Sequence, residues 1–540
     1  MEFGKIRSSS ARACARGRIR QFSIFAFIFL VCASLPTKAL SSGDRSLARS
    51  FFASAQEAWK ARNQALALEK VKLAVKADPN YADAFLLMGL IEFQQGDIAS
   101  SVEHYKRAIA LEPSSYSARY NLALAYLREH RLQDGKLELE QALKIDPHQA
   151  DAEYDLGLVL LELGDPLAAV VHLKKSRVLK ARKPDVSFNI VRAYLEAGKV
   201  SMARSEAEAS VRQLAGDVQW NVAIGQLFLK NGQPREAVNY LQRALLARPE
   251  DCATRRQLAV AYLAARDPQP VLDLIEHPTT AEDHYLRGSA YYLIQSFQEA
   301  DSESEKALLM EPDNLQALTL RIRLLQRAGE QTAALELANK AISLSPEWDE
   351  PYYLSGVSLF YIRHYSEASD RLARAVKLND RSARAHFLRG ISLASQEKIA
   401  EAEEAMQRAV ALQPGNARFR CHLGILLMRK NDPSAAEQLF RQAVELAPRY
   451  ALSHYQLGKL LARSNRFRAA VNEYEQAVEL DPTLGSAYYQ LSRMYARLGD
   501  KEKSSRALAE FQKLYQEQNS NESQDLTKDA GREAELSELP

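Results

Sequence analysis

Apolar residues recur with a helical period twice between Ala82 and Pro113. Phe85, Met88, Gly89 and Glu92 stand at i, i+3, i+4 and i+7, one face of an α-helix. Gly96-Asp97 interrupts that pattern, and Ala99 to Leu111 carries a second helix. Pro113 stops it, because proline has no N–H to donate and clashes with the preceding turn. The stretch predicts a helical hairpin that, with two linking residues, occupies 34 residues. With Ala82 as position 1, the glycines fall at positions 8 and 15 and the proline at 32.

The pattern repeats along the chain. Closing prolines stand at Pro79, Pro113, Pro147, Pro249, Pro278, Pro312, Pro346, Pro414, Pro448 and Pro482, mostly 34 residues or whole multiples apart. Ala181, Ala215 and Asp380 fill slots where prolines would fall. A fixed period of this size signals a solenoid, in which each unit contacts its neighbours. Leu122-Ala123, Tyr126, Ala142 and Pro147, and again Leu457-Gly458, Leu461, Ala477 and Pro482, keep one order. That order resembles the tetratricopeptide repeat family, over about Ala48 to Gln516 in roughly fourteen copies. The resemblance implies an all-α superhelical solenoid of antiparallel helical hairpins.

Charge and composition mark the ends of the array. The net charge of +3 is misleading, because residues 1–39 hold seven Lys/Arg and one acidic residue. The remainder lacks the basic excess of a nucleic-acid binder, and none is expected. Basic residues, then the apolar run Phe22 to Leu35, then Thr37-Lys38-Ala39 read as a secretory signal cleaved after Ala39. Its apolar run is short for a membrane span, which needs about twenty residues. The alternative is an uncleaved signal anchor, the chain's sole route to a membrane. Either way the repeats are exported, to a bacterial periplasm or the extracellular space. The expected organisation is a linker at 40–47, repeats 1–7 at 48–280, repeats 8–14 at 281–516 and a disordered acidic tail at 517–540. Repeat 7 is shortened, with a second helix of about Val271 to His277 among Pro268, Pro270 and Pro278, a candidate kink. Cys252 and Cys421 lie about five repeats apart and predict no disulfide.

No motif for catalysis, nucleotide binding or zinc occurs, so no enzyme and no cofactor are expected. His386, His422 and His454 lie on successive first helices but at positions 4, 6 and 4, which do not form one row. They read as packed or solvated residues.

The resemblance places ligand contacts on the concave face of the first helices, mostly at positions 2, 5, 9, 12 and 13. Position 5 is aromatic in most repeats, including Tyr120, Tyr154, Tyr455 and Tyr489. Leu90, Leu124 and Leu158 hold position 9 in repeats two to four, with Phe93, Leu127 and Leu161 one turn on. Exposed, that row predicts an apolar patch, covered by residues 40–50, by a second copy or by a partner segment. Arg323/Arg327, Lys459/Arg463 and Arg493/Arg497 are basic pairs at positions 9 and 13, each sharing one helix face. Neighbouring like charges repel unless an anion lies between them, so an acidic segment is the expected ligand of the last two repeats. The expected function is an exported, non-enzymatic scaffold for protein or peptide segments. Polysaccharide contact in an export or envelope-assembly machine, or regulation of a separate catalytic subunit, are the alternatives.

Overall fold

The computed structural model describes residues 42–179, 186–213 and 217–519. The expected signal segment 1–39 and the tail from residue 520 onward lie outside these residues, as do Ala181 and Ala215. Among the described residues there are 28 helices and no strand. The chain divides into two compact units between Ala261 and Tyr262, inside the helix Cys252–Ala264. Each is a succession of antiparallel helical hairpins.

Local chemistry sets the ends of each helix. Asp97, Asp165 and Asp432 cap second helices, their carboxylates accepting from the backbone N–H three residues on. Ser115, Asn314 and Ser382 do the same for first helices. Each hairpin turns on one residue in the left-handed conformation at position 15. Gly96, expected to break the helix, and Gly499 have φ of 88° and 83°, while Arg363 and Asn465 adopt 64° and 57° in the same slot. Proline is not what ends the second helices. The chain leaves helical geometry one residue earlier, and the Asn379 N–H still reaches the Ala375 carbonyl although Asp380 follows it.

The hairpins close on small residues. Position 8 is glycine in most hairpins, and a Cβ built there meets the side chain at position 24 in all of these but the hairpin of Gly288. The separation would be 2.7 Å from Gly157 to Leu173 Cγ, 2.6 Å from Gly424 to Phe440 Cε1 and 2.9 Å from Gly458 to Tyr474 Cδ1. Alanines at positions 20 and 27, such as Ala169, Ala244, Ala443 and Ala470, are fully buried. One hairpin inverts the arrangement. Ala123 holds position 8, Gly135 holds position 20, and Leu127 fills the space against Gly135.

Several expected boundaries shift. The first helix, Ser42–Lys60, starts inside the segment expected as linker, because nothing between Arg45 and Ala48 breaks a helix and Ala48 is already buried. Residues 42–50 therefore belong to the first hairpin and do not drape over the row containing Leu124. The last helix, Lys501–Asn519, runs three residues into the expected tail. In the short hairpin the second helix is Gln269–Leu274, six residues, with Pro270 in its first turn.

Replacing Gly157 by valine forces the Leu173 side chain and the Ala169 carbonyl apart, an overpacking that costs about 1–3 kcal/mol. Hydrogen exchange should report weakened protection in the hairpin Ala150–Val178 and unchanged protection between residues 383 and 412. Unchanged exchange in both would contradict the packing described.

Candidate functional site

Within each unit, first helices of successive hairpins pack side by side, so their outward positions form a continuous surface. In the first unit, position 5 belongs to the packing beneath it. Tyr120 is 3% exposed and donates to Asp155 Oδ2 at 2.6 Å, while Tyr154, 7% exposed, accepts from Asn189 Nδ2 at 3.0 Å. Each bond joins position 5 of one repeat to position 6 of the next. Burial first, and the Asp155 carboxylate second, push the Tyr120 hydroxyl well above its ordinary range. These tyrosines are ladder rungs and not the ligand contacts expected of them.

The apolar row is also partly absorbed. Leu90, Leu124 and Leu158 are half-buried, and Leu161 is buried. The Arg128 guanidinium lies 5.1 Å from the Phe93 ring centroid, and its Nη1 donates to the Phe93 carbonyl at 2.8 Å. The large apolar groups left in water are on the second helices instead, at Leu137, Leu167, Val171 and Val178. Leu137 and Val171 share position 22, a periodic signal visible in the chain but overlooked in favour of the first helices.

In the second unit the basic pairs divide. Arg323 Nη2 donates to Glu350 Oε1 at 2.6 Å, and Glu350 is 7% exposed. Burial alone would raise that carboxyl, but the charges of Arg323 and Arg384 hold it below its usual range. Arg327 sits 3.9 Å above the Phe297 ring centroid. Arg323 is thus committed to the internal counterion that a charge drawn into the surface needs, whereas Arg327, like Arg497, rests on a ring.

Lys459, Arg463, Arg493 and Arg497 are different, forming no ion pair with a carboxylate among the described residues. Lys459 is half-buried, and burial first and the Arg463 charge second lower its ammonium below the ordinary lysine range. Arg493 lies 5.8 Å from the Tyr489 ring centroid and Arg497 5.0 Å from that of Phe467. Tyr489 is 41% exposed, whereas Tyr455 is half-buried and packs against Tyr474, ring centroids 5.9 Å apart. The last two repeats therefore present four cations and one open aromatic ring on adjoining helices.

The histidines are held inside hairpins. His172 Nδ1 lies 2.6 Å from Glu153, and His284 and His454 lie 2.7 Å from Glu303 and Glu473. All three pairs join positions 4 and 23, with the roles exchanged at Glu153. His386 meets the Asp380 carbonyl, and His422 packs edge-on to Phe387. No cluster of three metal-ligating side chains occurs among the described residues, and no described helix is long and apolar enough to cross a membrane.

An array of helical hairpins with small residues at positions 8, 20 and 27, and a continuous surface of first helices, defines the class: an all-α repeat protein. The tetratricopeptide repeat model matches residues 120–175, 222–269, 353–417, 389–451, 421–482 and 455–522, and a related TPR repeat model matches 89–129. These spans cover more than half of the chain, which belongs to the tetratricopeptide repeat family. The chain is 23% identical over 224 residues to Hsp70-Hsp90 organizing protein 3 of Arabidopsis thaliana, a match over 39% of each. Most of that relative's length is thus unmatched. Many solved structures are similar, among them three helical repeat proteins. The Cut9 and Hcn1 hetero-tetramer of APC/C is 14% identical over 83% of this chain and 96% of that one, TM-score 0.44. Yeast Tom70 is 16% identical over 85% and 96%, TM-score 0.33. YrrB, a TPR protein with an unusual peptide-binding site, is 24% identical over 33% and 91%, TM-score 0.28. Nothing about this chain rests on these three similarities.

The His454 pair generates a pH dependence. The hydrogen bond to Glu473 raises the imidazole above 6.5, burial opposes this, and the Pro448 carbonyl supports it. A group raised on folding contributes stability that is full below its unfolded value and is lost as pH rises through the folded one. The denaturant stability of the wild type relative to His454→Gln should shrink between about pH 6 and pH 8. A constant difference would contradict the pairing. For Glu153 and Glu303 the sign reverses. Burial opposes their ionisation, but bonds from His172 and Lys175, and from Lys306 and His284, hold both carboxyls low. Their contribution is present above about 4.5 and fades as pH falls through the lowered values.

Proposed function

We propose that this chain is a non-enzymatic, exported scaffold that binds protein segments on the surface of its first helices. The last two repeats receive an acidic stretch of the partner. One observation carries this reading: Arg323 is matched by Glu350, whereas Lys459, Arg463, Arg493 and Arg497 have no such carboxylate among the described residues. A partner's carboxylates would supply the missing charge. Hydrogen bonds to charged groups contribute about 1.5–3 kcal/mol each, and micromolar affinity needs about 8 kcal/mol. Three or four pairs with stacking on Tyr489 reach that range. The plant relative, an organizer of Hsp70 and Hsp90 by its name, supports a protein ligand. A glycan groove would want aromatic rings exposed at regular spacing, but of the position-5 aromatics Phe52, Tyr120, Tyr154, Tyr285, Tyr353 and Phe387 are buried. Export rests on the basic and apolar order of residues 1–39. Its destination is the periplasm or the extracellular space, with an uncleaved anchor as the alternative.

Crosslinked partners recovered from source cells by the full-length chain provide the test. Lys459→Glu/Arg463→Glu should cut recovery of the predominant partner at least about tenfold, the effect of 1.4 kcal/mol. Arg506→Glu, on a second helix, should leave recovery unchanged, with circular dichroism the same in all three proteins. Equal recovery by the first variant and the wild type would remove the basic surface as the site. Export is checked separately by sequencing the amino terminus of the protein outside the cytoplasm. Leu40 should be the first residue, and an intact leader there would mean an anchor.

A further inference from the structure

The basic surface of the last two repeats has a floor as well as a rim. Tyr474 stands at position 24 of the penultimate hairpin, fully buried, and its hydroxyl has no hydrogen-bond partner. Burial pushes that hydroxyl up, Tyr455 adds to the effect, and the charges of Arg493 and Arg463 pull against it. Lys459 and Arg463 share one face of the helix Ala451–Arg463, which packs against the helix Gly485–Leu498 that bears Arg493, so the three cations lie on adjoining helices. Three cations on adjoining helices, with no carboxylate partner among the described residues, are arranged for an anion.

The same chain carries a complementary segment. Residues 520–540 contain Glu522, Asp525, Asp529, Glu533, Glu535 and Glu538 against Lys528 and Arg532 alone. They follow directly on the helix Lys501–Asn519, the hairpin partner of Gly485–Leu498, which bears Arg493 and Arg497. The two helices are antiparallel, so the chain leaves the array at the end where Gly485 begins. Arg493 lies eight residues up that helix, about 12 Å at 1.5 Å per residue. The last helix overshoots by roughly one turn, which brings the distance to about 20 Å. Six or seven extended residues span it at about 3.3 Å each. The acidic run from Asp525 onward then arrives at the cations.

We propose that the acidic segment 520–540 occupies the surface of Lys459, Arg463 and Arg493 in cis, so that a partner's acidic stretch binds by displacing it. This rests on the reading that the surface takes an acidic chain, and adds a built-in competitor. A tethered segment acts at an effective concentration on the order of millimolar. It therefore lowers the apparent affinity of an untethered competitor without altering the surface itself.

A labelled synthetic peptide of residues 520–540 is the probe, titrated by fluorescence anisotropy against the full-length chain at low salt. The wild type is compared with a tail in which Glu522, Glu533, Glu535 and Glu538 become Gln and Asp525 and Asp529 become Asn. The neutral-tail chain should bind the probe at least about tenfold more tightly than the wild type. Adding Arg463→Glu/Arg493→Glu to the neutral-tail chain should abolish binding, with circular dichroism unchanged, and raised salt should weaken it. Equal affinity of the wild-type and neutral-tail chains overturns the cis occupant. In that case binding that still depends on Arg463 and Arg493 leaves the acidic-partner reading standing. No binding of the probe to the neutral-tail chain also overturns the proposal, and the crosslinking comparison then decides the partner reading alone.

Discussion

Most of the hairpins depend on a close contact between position 8 of a first helix and position 24 of its second. A Cβ at Gly157 or Gly424 would lie inside the van der Waals shell of Leu173 or Phe440, so the hairpin closes only around a hydrogen atom. That approach brings the helices near enough for the alanines at 20 and 27 to disappear from solvent. In the hairpin of Ala123 and Gly135 the glycine stands on the other helix, and its close contact is with Leu127 at position 12. What is constrained is the sum of volumes across the seam, and either helix can supply the small residue.

The surface follows from the seam. Positions turned into it are fixed by packing, and position 5 is drawn into the joint between neighbouring first helices, where Tyr120 and Asp155 or Tyr154 and Asn189 bond one repeat to the next. Positions 9 and 13 are left to vary, and they vary in sense. Position 9 is leucine in repeats two to four and the internally paired Arg323 in repeat nine, and both positions carry cations without carboxylate partners in the last two repeats. A repeat that spends its aromatic residue on stacking its neighbour must take specificity from those two positions.

The hairpins were legible because their signals are local: glycine or asparagine at the turn, aspartate at the second helix's start, and small residues at a fixed spacing. The site was legible only in part. Nothing beside Tyr120 in the chain says that its hydroxyl meets Asp155, one period and one residue away, although a polar residue at position 6 after an aromatic at position 5 was a readable hint. Arg323 and Arg327 looked like Lys459 and Arg463, because the counterion Glu350 and the ring of Phe297 come from neighbouring helices. The linker expected at 40–47 is helical from Ser42 onward, since its residues tolerate a helix when a hairpin partner lies alongside.

The central claim is that partners engage the surface of first helices and are chosen at positions 9 and 13. Hydrogen exchange of the full-length chain, with and without the partner identified by crosslinking, tests it most directly. The account predicts new protection in the helices Ala451–Arg463 and Gly485–Leu498, with the second helix Phe467–Leu480 between them unchanged. Protection centred on the second helices that expose Leu137 and Val171 would contradict it and move the binding face to the other side of the hairpins.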